Sequence, residues 1–207
     1  MSYWVTLGIG FLAQALFSSR IFLQWIISER HKKILTPKLF WEISLFASFL
    51  LFIYGYLRDD FAIMLGQVIT YYIYIRNMQL EHEWQKMPKL LQIFLYFFPA
   101  LILAYGFNNN VIDKANLFYN ERIPFALMFL GVVSQVLFTL RFVYQWLYSE
   151  KVKESVLPLG FWLLSLLGSL LIFIYAILRL DPVLLAGHFS GIIIYSRNIY
   201  IMKKYGK

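Results

Sequence analysis

The sequence contains no cysteine. That excludes a disulfide framework, a thiol nucleophile and any cysteine-ligated metal site, and it leaves the redox compartment unreadable. Charge is scarce too, at 14% of residues, against 60% hydrophobic and 20% aromatic residues. A soluble domain of 207 residues could not cover that much apolar surface. No His, Asp and Glu cluster with metal-ligand spacing is present. No metal, cofactor or catalytic residue set is therefore expected.

What the chain has instead is long apolar runs. They fall near 3–27, 37–57, 61–80, 90–107, 123–148, 158–179 and 182–202. Each is close to the ~20 residues that cross a bilayer as a helix. Seven such spans use about 140 residues and leave room for short loops. Pro37 and Pro158 sit at the expected starts of the second helix in each half. Asp60 and Asp181 fall at N-cap positions, with Pro182 just inside the last span. The short connections at 58–60 and 179–181 predict tight antiparallel helix pairs.

No positive segment precedes the first apolar run; Arg30, Lys32 and Lys33 follow it. That order predicts a retained first helix with its N-terminus outside. The inner segments then carry Arg30, Lys32, Lys33, Lys38, Lys86, Lys89, Lys151, Lys153, Lys203, Lys204 and Lys207, whereas the outer ones carry Arg58, Lys114, Arg122 and Arg179. This bias obeys the positive-inside rule. The net charge of +8 is accordingly assigned to loops facing anionic headgroups, and no nucleic acid partner is expected.

The chain also repeats itself. A shift of 121 residues overlays its two ends without a gap. Gly10, Gln14, Phe17, Arg20, Gln24, Trp25, Ser28 and Glu29 fall on Gly131, Gln135, Phe138, Arg141, Gln145, Trp146, Ser149 and Glu150. Pro37, Phe40, Trp41, Ser44 and Ser48 fall on Pro158, Phe161, Trp162, Ser165 and Ser169. Tyr54, Arg58, Asp60, Gly66, Tyr74, Arg76 and Asn77 fall on Tyr175, Arg179, Asp181, Gly187, Tyr195, Arg197 and Asn198. Roughly 40% of the ~69 overlaid positions are identical. Apolar composition alone does not match Arg, Gln, Trp, Pro, Asp and Asn in register. The expected architecture is an all-α integral membrane fold of seven helices in a 3+1+3 arrangement. Residues 1–81 form the first three-helix repeat, 82–121 a linker with an inversion helix, and 122–207 the second repeat. The odd span near 90–107 makes the two bundles parallel, as in SWEET-class transporters, where binding sites lie at the repeat interface.

The repeated string runs Arg-x-x-x-Gln-Trp-x-x-Ser-Glu, Pro-x-x-Phe-Trp-x-x-Ser-Leu, Tyr-x-x-x-Arg-x-Asp and Ile-Tyr-x-Arg-Asn. It resembles the lipid A biosynthesis N-terminal domain family, related to the PQ-loop, SWEET and SemiSWEET group. The resemblance covers about 140 residues, in two copies. It implies an inner-membrane protein of Gram-negative envelope biogenesis, associated with lipid A or undecaprenyl-phosphate-linked sugars. The domain also occurs fused to lipid-A-disaccharide synthases, whose soluble catalytic domain has no counterpart in these residues. The halves differ at Asp60-Phe61-Ala62 against Asp181-Pro182-Val183, and at Gly66-Gln67 against Gly187-His188.

Charge within the spans marks the candidate site, because each charge at the bilayer centre costs about 2.5–3.5 kcal/mol. Arg20 and Arg141 lie roughly 13 Å inside the inner boundary, deeper than a side chain snorkels. Gln24 and Gln145 lie one turn on, with Gln14, Gln135, Trp25 and Trp146 on the adjoining stripe. Arg76, Arg197, Asn77 and Asn198 near the inner ends, and Glu42, complete the substrate-binding candidates. Two readings fit. In one, the stripe lines a cavity: arginine grips phosphate, amides bond hydroxyls, and aromatic rings stack on sugar. In the other, the arginines pair with Glu42, carbonyls or headgroups, and the asparagines tie helices together.

The expectation drawn from this is a non-enzymatic inner-membrane transporter or flippase for a polyprenyl-phosphate-linked sugar or related anionic lipid, with a periplasmic N-terminus and a cytoplasmic C-terminus. The alternatives are a SWEET-like carrier of a free sugar or polar solute, or a lipid-binding subunit that partners a glycosyltransferase.

Overall fold

The computed structural model describes residues 3–57, 61–108, 125–179 and 182–205. Those residues are helical wherever they are regular. Helix α1 spans Tyr3–His31, α2 Lys38–Leu57 and α3 Phe61–Leu80. A short 3-10 turn at Trp84–Lys86 leads to α4, Lys89–Asn108. Helices α5, Phe125–Val152, α6, Leu159–Arg179, and α7, Pro182–Tyr205, follow. Among the described residues, four stretches are long and apolar enough to cross a membrane: Trp4–His31, Lys38–Leu57, Phe129–Val152 and Leu159–Leu178. A shorter apolar stretch, Lys89–Ile102, lies in α4. The caps expected at Asp60 and Asp181 lie outside the described residues.

The chain divides into two compact units. The first contains residues 1–17 and 41–121, the second 18–40 and 122–207. The second unit therefore takes in the last half of α1 and the connection that leaves it.

Two copies of one turn organise the second unit. After α1 the backbone enters the left-handed region at Lys32, and after α5 it does so at Lys153, the matching position. The N–H of Lys33 bonds the carbonyl of Ser28 at 3.3 Å, as in a Schellman cap. The Ser28 hydroxyl then accepts the N–H of Leu35 at 3.0 Å, and Ser149 accepts that of Val156 at 3.2 Å. Gln24 Nε2 donates to Ser28 Oγ at 2.8 Å, and Gln145 Nε2 donates to Ser149 Oγ at 2.9 Å and to the Val156 carbonyl at 3.1 Å. Proline follows at once, and the next helix begins with Phe40 N–H on the Pro37 carbonyl and Phe161 N–H on the Pro158 carbonyl. The repeated Gln-x-x-x-Ser and Pro are thus the parts of a clamp that reverses the chain.

Helix packing follows from small residues. A side-chain carbon added at Gly168 would lie 3.0 Å from the Phe138 backbone, so α5 and α6 touch closely there. Gly131 lies under the Tyr175 ring, as Gly10 in the first unit lies under Tyr54. Gly187 has nothing within 4 Å of such a carbon, so it is not a close-approach position. The Gln67 and His188 departure between the halves turns out to be chemically neutral. Ser48 bonds Gln67 Oε1 at 2.9 Å, and Ser169 bonds His188 Nδ1 at 2.9 Å.

In the first unit the core joins Phe52, Met64 and Phe98. Helix α4 carries Pro99 in its interior. Proline lacks the N–H that would bond the carbonyl four residues back, which is Leu95. The Tyr71 hydroxyl donates to that carbonyl at 2.9 Å, and Tyr72 donates to the next one, Tyr96, at 3.0 Å. An orphaned carbonyl in apolar surroundings is costly, and α3 supplies the missing donor. Tyr71→Phe should therefore lower stability by about 1–2 kcal/mol. In a Pro99→Ala background, where the helix bonds Leu95 itself, the same change should cost much less. A double-mutant cycle read by thermal melting in detergent checks this; equal losses in both backgrounds would contradict it.

Candidate functional site

The most deeply placed charges are Arg20 on α1 and Arg141 on α5, both in the second unit and only 2% and 5% exposed. One ring lies near both. The guanidinium carbons sit 5.4 Å and 4.6 Å from the centre of Phe142. Arg20 also lies 4.9 Å from the Phe40 ring. Arg141 lies 3.3 Å from the Phe138 ring centre and 5.7 Å from that of Phe161. Its Nη1 donates to the Tyr195 hydroxyl at 3.2 Å. A cation over a desolvated ring gains about 2 kcal/mol. Taking a guanidinium out of water costs several kcal/mol, and two like charges near one ring repel. The cluster is therefore electrostatically suited to an anion. The planar arginine fork suits an oxyanion best.

Two polar rungs between α1 and α7 lie on the side of this cluster toward the end of α1. Gln24 and Asn198, both fully buried, exchange hydrogen bonds: Gln24 Nε2 to Asn198 Oδ1 at 3.3 Å, and Asn198 Nδ2 to Gln24 Oε1 at 3.2 Å. Further along, Arg197 grips Glu29 in a bidentate pair, Nε to Oε2 at 2.8 Å and Nη2 to Oε1 at 2.7 Å. Lys32 joins the same carboxylate at 2.8 Å. This end of the unit is half exposed, so its ion pair is screened by solvent.

The remaining sequence candidates show other contacts. Gln145 is committed to the chain-reversing clamp described above. Trp146 is at the surface, donating to Glu150 at 3.2 Å, and Gln135 is exposed. Trp25 is half-buried beside Phe22. Arg76 donates to Gln79 at 3.2 Å and Asn77 to the Ile73 carbonyl at 2.9 Å; both belong to the first unit, as do half-buried Gln14 and exposed Glu42. The structure thus brings Arg20 together with Arg141, and Gln24 with Asn198. It pairs Arg197 with Glu29, which the sequence reading had not singled out. Tyr195 and Phe142, which neighbour Arg141, and Trp162, which neighbours Tyr195, were not among the sequence candidates. Tyr195 and Trp162 stand in the repeated string and could have been found there. Phe142 has Ile21 as its counterpart, so no repeat signal marks it. Among the described residues, no group of three or more His, Asp or Glu could hold a metal ion.

Taken together, these features define a tandem-repeat helical protein of apolar, membrane-associated character with a buried cationic cluster. The family model for the Lipid A Biosynthesis N-terminal domain matches residues 9–79 and again 130–200. The chain belongs to this family, in two copies offset by the same 121 residues as the internal repeat. It is similar to the lipid-A-disaccharide synthase of Chlamydia felis, 29% identical over 205 residues, covering 95% of this chain and 33% of that protein. The Chlamydia abortus synthase is 28% identical over 206 residues, with 95% and 33% covered. That of Chlamydia pneumoniae is 29% identical over 180 residues, with 84% and 30% covered. The chain spans about a third of the length of the curated relatives it matches. No solved structure matches.

These relatives overturn two expectations. The relatives are named for a synthase, so the reading of the chain as a transporter or flippase is not sustained. The reading of it as standing apart from enzymes falls for the same reason. Both expectations came from fold analogy and from missing catalytic spacing, and fold analogy does not carry function.

The Gln24 and Asn198 rung has a direct test. Gln24→Leu removes the side-chain partner of Asn198, which keeps the Ile194 carbonyl, and also breaks the bond to Ser28; it should cost about 1–3 kcal/mol. Gln24→Leu with Asn198→Leu should recover the part of that loss due to the Asn198 amide, and not the part due to the Ser28 bond. Denaturation in detergent measures both; a double variant as unstable as the sum of the singles would contradict the pairing.

Proposed function

We propose that this chain is a membrane module of a lipid-A-disaccharide synthase type of glycosyl-transfer system, and that it holds an anionic, lipid-linked sugar for that reaction. The observation that carries the reading is the pair of buried arginines, Arg20 and Arg141, set near one ring inside an apolar helical unit. Burying cations costs free energy in such surroundings, and an anionic ligand would offset part of that cost. The similarity to synthases supplies the reaction class, and four apolar helices support a membrane location. In this reading the chain is a multi-pass protein of the bacterial inner membrane. Its seven helices form two parallel triplets joined by α4, with the N-terminus periplasmic and the C-terminus cytoplasmic. Gln24 and Asn198 position the arginines, and Arg197 with Glu29 holds the inner end together.

Native mass spectra of the purified chain test this. The wild type should retain an acidic glycolipid, and the Arg20→Ala plus Arg141→Ala variant should lose it. Bulk phospholipid alone, unchanged by the substitutions, would refute the reading. Reporter fusions at the two ends should report opposite sides of the membrane, the N-terminus outside.

A further inference from the structure

Resting on the reading above, we infer that Arg20, Arg141, Tyr195 and Trp162 form a single oxyanion site in the second unit, and that its ligand is a phosphate ester. Trp162, on α6, is only 1% exposed. Its ring lies 6.0 Å from that of Tyr195 and stands edge-on to Phe161 at 4.9 Å. Tyr195 is the residue that Arg141 bonds. The indole Nε1 of Trp162 is buried and has no hydrogen-bond partner among the described residues. A buried indole N–H ordinarily finds an acceptor, because leaving it bare forfeits its hydration. Tyr195 therefore has two donors among its neighbours, the bonded Arg141 guanidinium and the indole of Trp162. The Tyr195 hydroxyl accepts from Arg141, which leaves its own proton to donate.

All of these groups are donors, and two of them are cations. A carboxylate brings two oxygens and one charge. A phosphate monoester brings three terminal oxygens and close to two charges, which matches two guanidinium groups and an indole N–H. Arg20 and Arg141 are counterparts in the repeat, yet both lie against Phe142, which only the second copy has. The bonded Gln24–Asn198 and Glu29–Arg197 rungs occupy the stretch between this site and the end of α1. A phosphate carried on a lipid has no need of that route, whereas a free phosphate arriving from that end meets both rungs.

The test uses the full chain, nitrogen-15 labelled, in phosphatidylcholine nanodiscs, with the Trp162 indole resonance assigned by Trp162→Phe. Two probes are compared: nanodiscs rebuilt with dioleoyl phosphatidic acid, and inorganic phosphate. Phosphatidic acid should move the indole proton downfield, and Arg141→Gln should abolish the movement. Trp162→Phe should weaken phosphatidic acid binding about tenfold. Movement with inorganic phosphate but not with phosphatidic acid would keep the oxyanion site and overturn the lipid-linked substrate proposed above. An indole proton unmoved by either probe, or moved equally in Arg141→Gln, would overturn the site itself. Should Arg141→Gln not fold, an unchanged affinity in Trp162→Phe overturns it equally.

Discussion

Gln24 and Gln145 are fully buried amides, and each ties down the chain that leaves its own helix. An amide in apolar surroundings has to bond something within the protein, because no water is at hand to replace a missing partner. The nearest unsatisfied groups are the serine one turn on and the loop seven residues beyond that serine. Meeting that demand reverses the chain and delivers proline to the start of the next helix. The turn, the left-handed lysines after α1 and α5, and the placement of α2 and α6 all follow from it.

The same requirement recurs through the molecule with different chemistry. Pro99 takes away one helical donor, and Tyr71 replaces it from the neighbouring helix. Ser48 and Ser169 bond a glutamine in one half and a histidine in the other, so a change of residue type leaves the interaction in place. Asn198 meets Gln24 across helices. Arg20 and Arg141 are where internal satisfaction takes its least ordinary form, because much of what surrounds them is aromatic. Ring faces attract a cation but offer no strong acceptor.

The relatives change the biochemical setting without changing this physics. A module that holds a headgroup for glycosyl transfer needs a cationic cluster inside an apolar scaffold, as a carrier would. In the proposed reading, similarity to synthases, and not the geometry of the helices, favours the first. Fold analogy to transporters pointed toward movement across the membrane because parallel repeats are common there.

The sequence alone determined the helical class, the tandem repeat and the family. Periodic apolar runs and polar residues in register are local or pairwise signals that survive without coordinates. It also marked Arg20 and Arg141, because a charge deep in an apolar run is costly wherever it lies. Only the tertiary structure decided which candidates meet. Gln24 bonds its own loop, and it also bonds Asn198, 174 positions away. Glu29, a surface-like residue by sequence, closes on an arginine 168 positions away. Phe142, unmarked by the repeat, became the ring near both guanidinium groups. Contacts between distant helices depend on how faces pack in three dimensions, and no spacing along the chain encodes them.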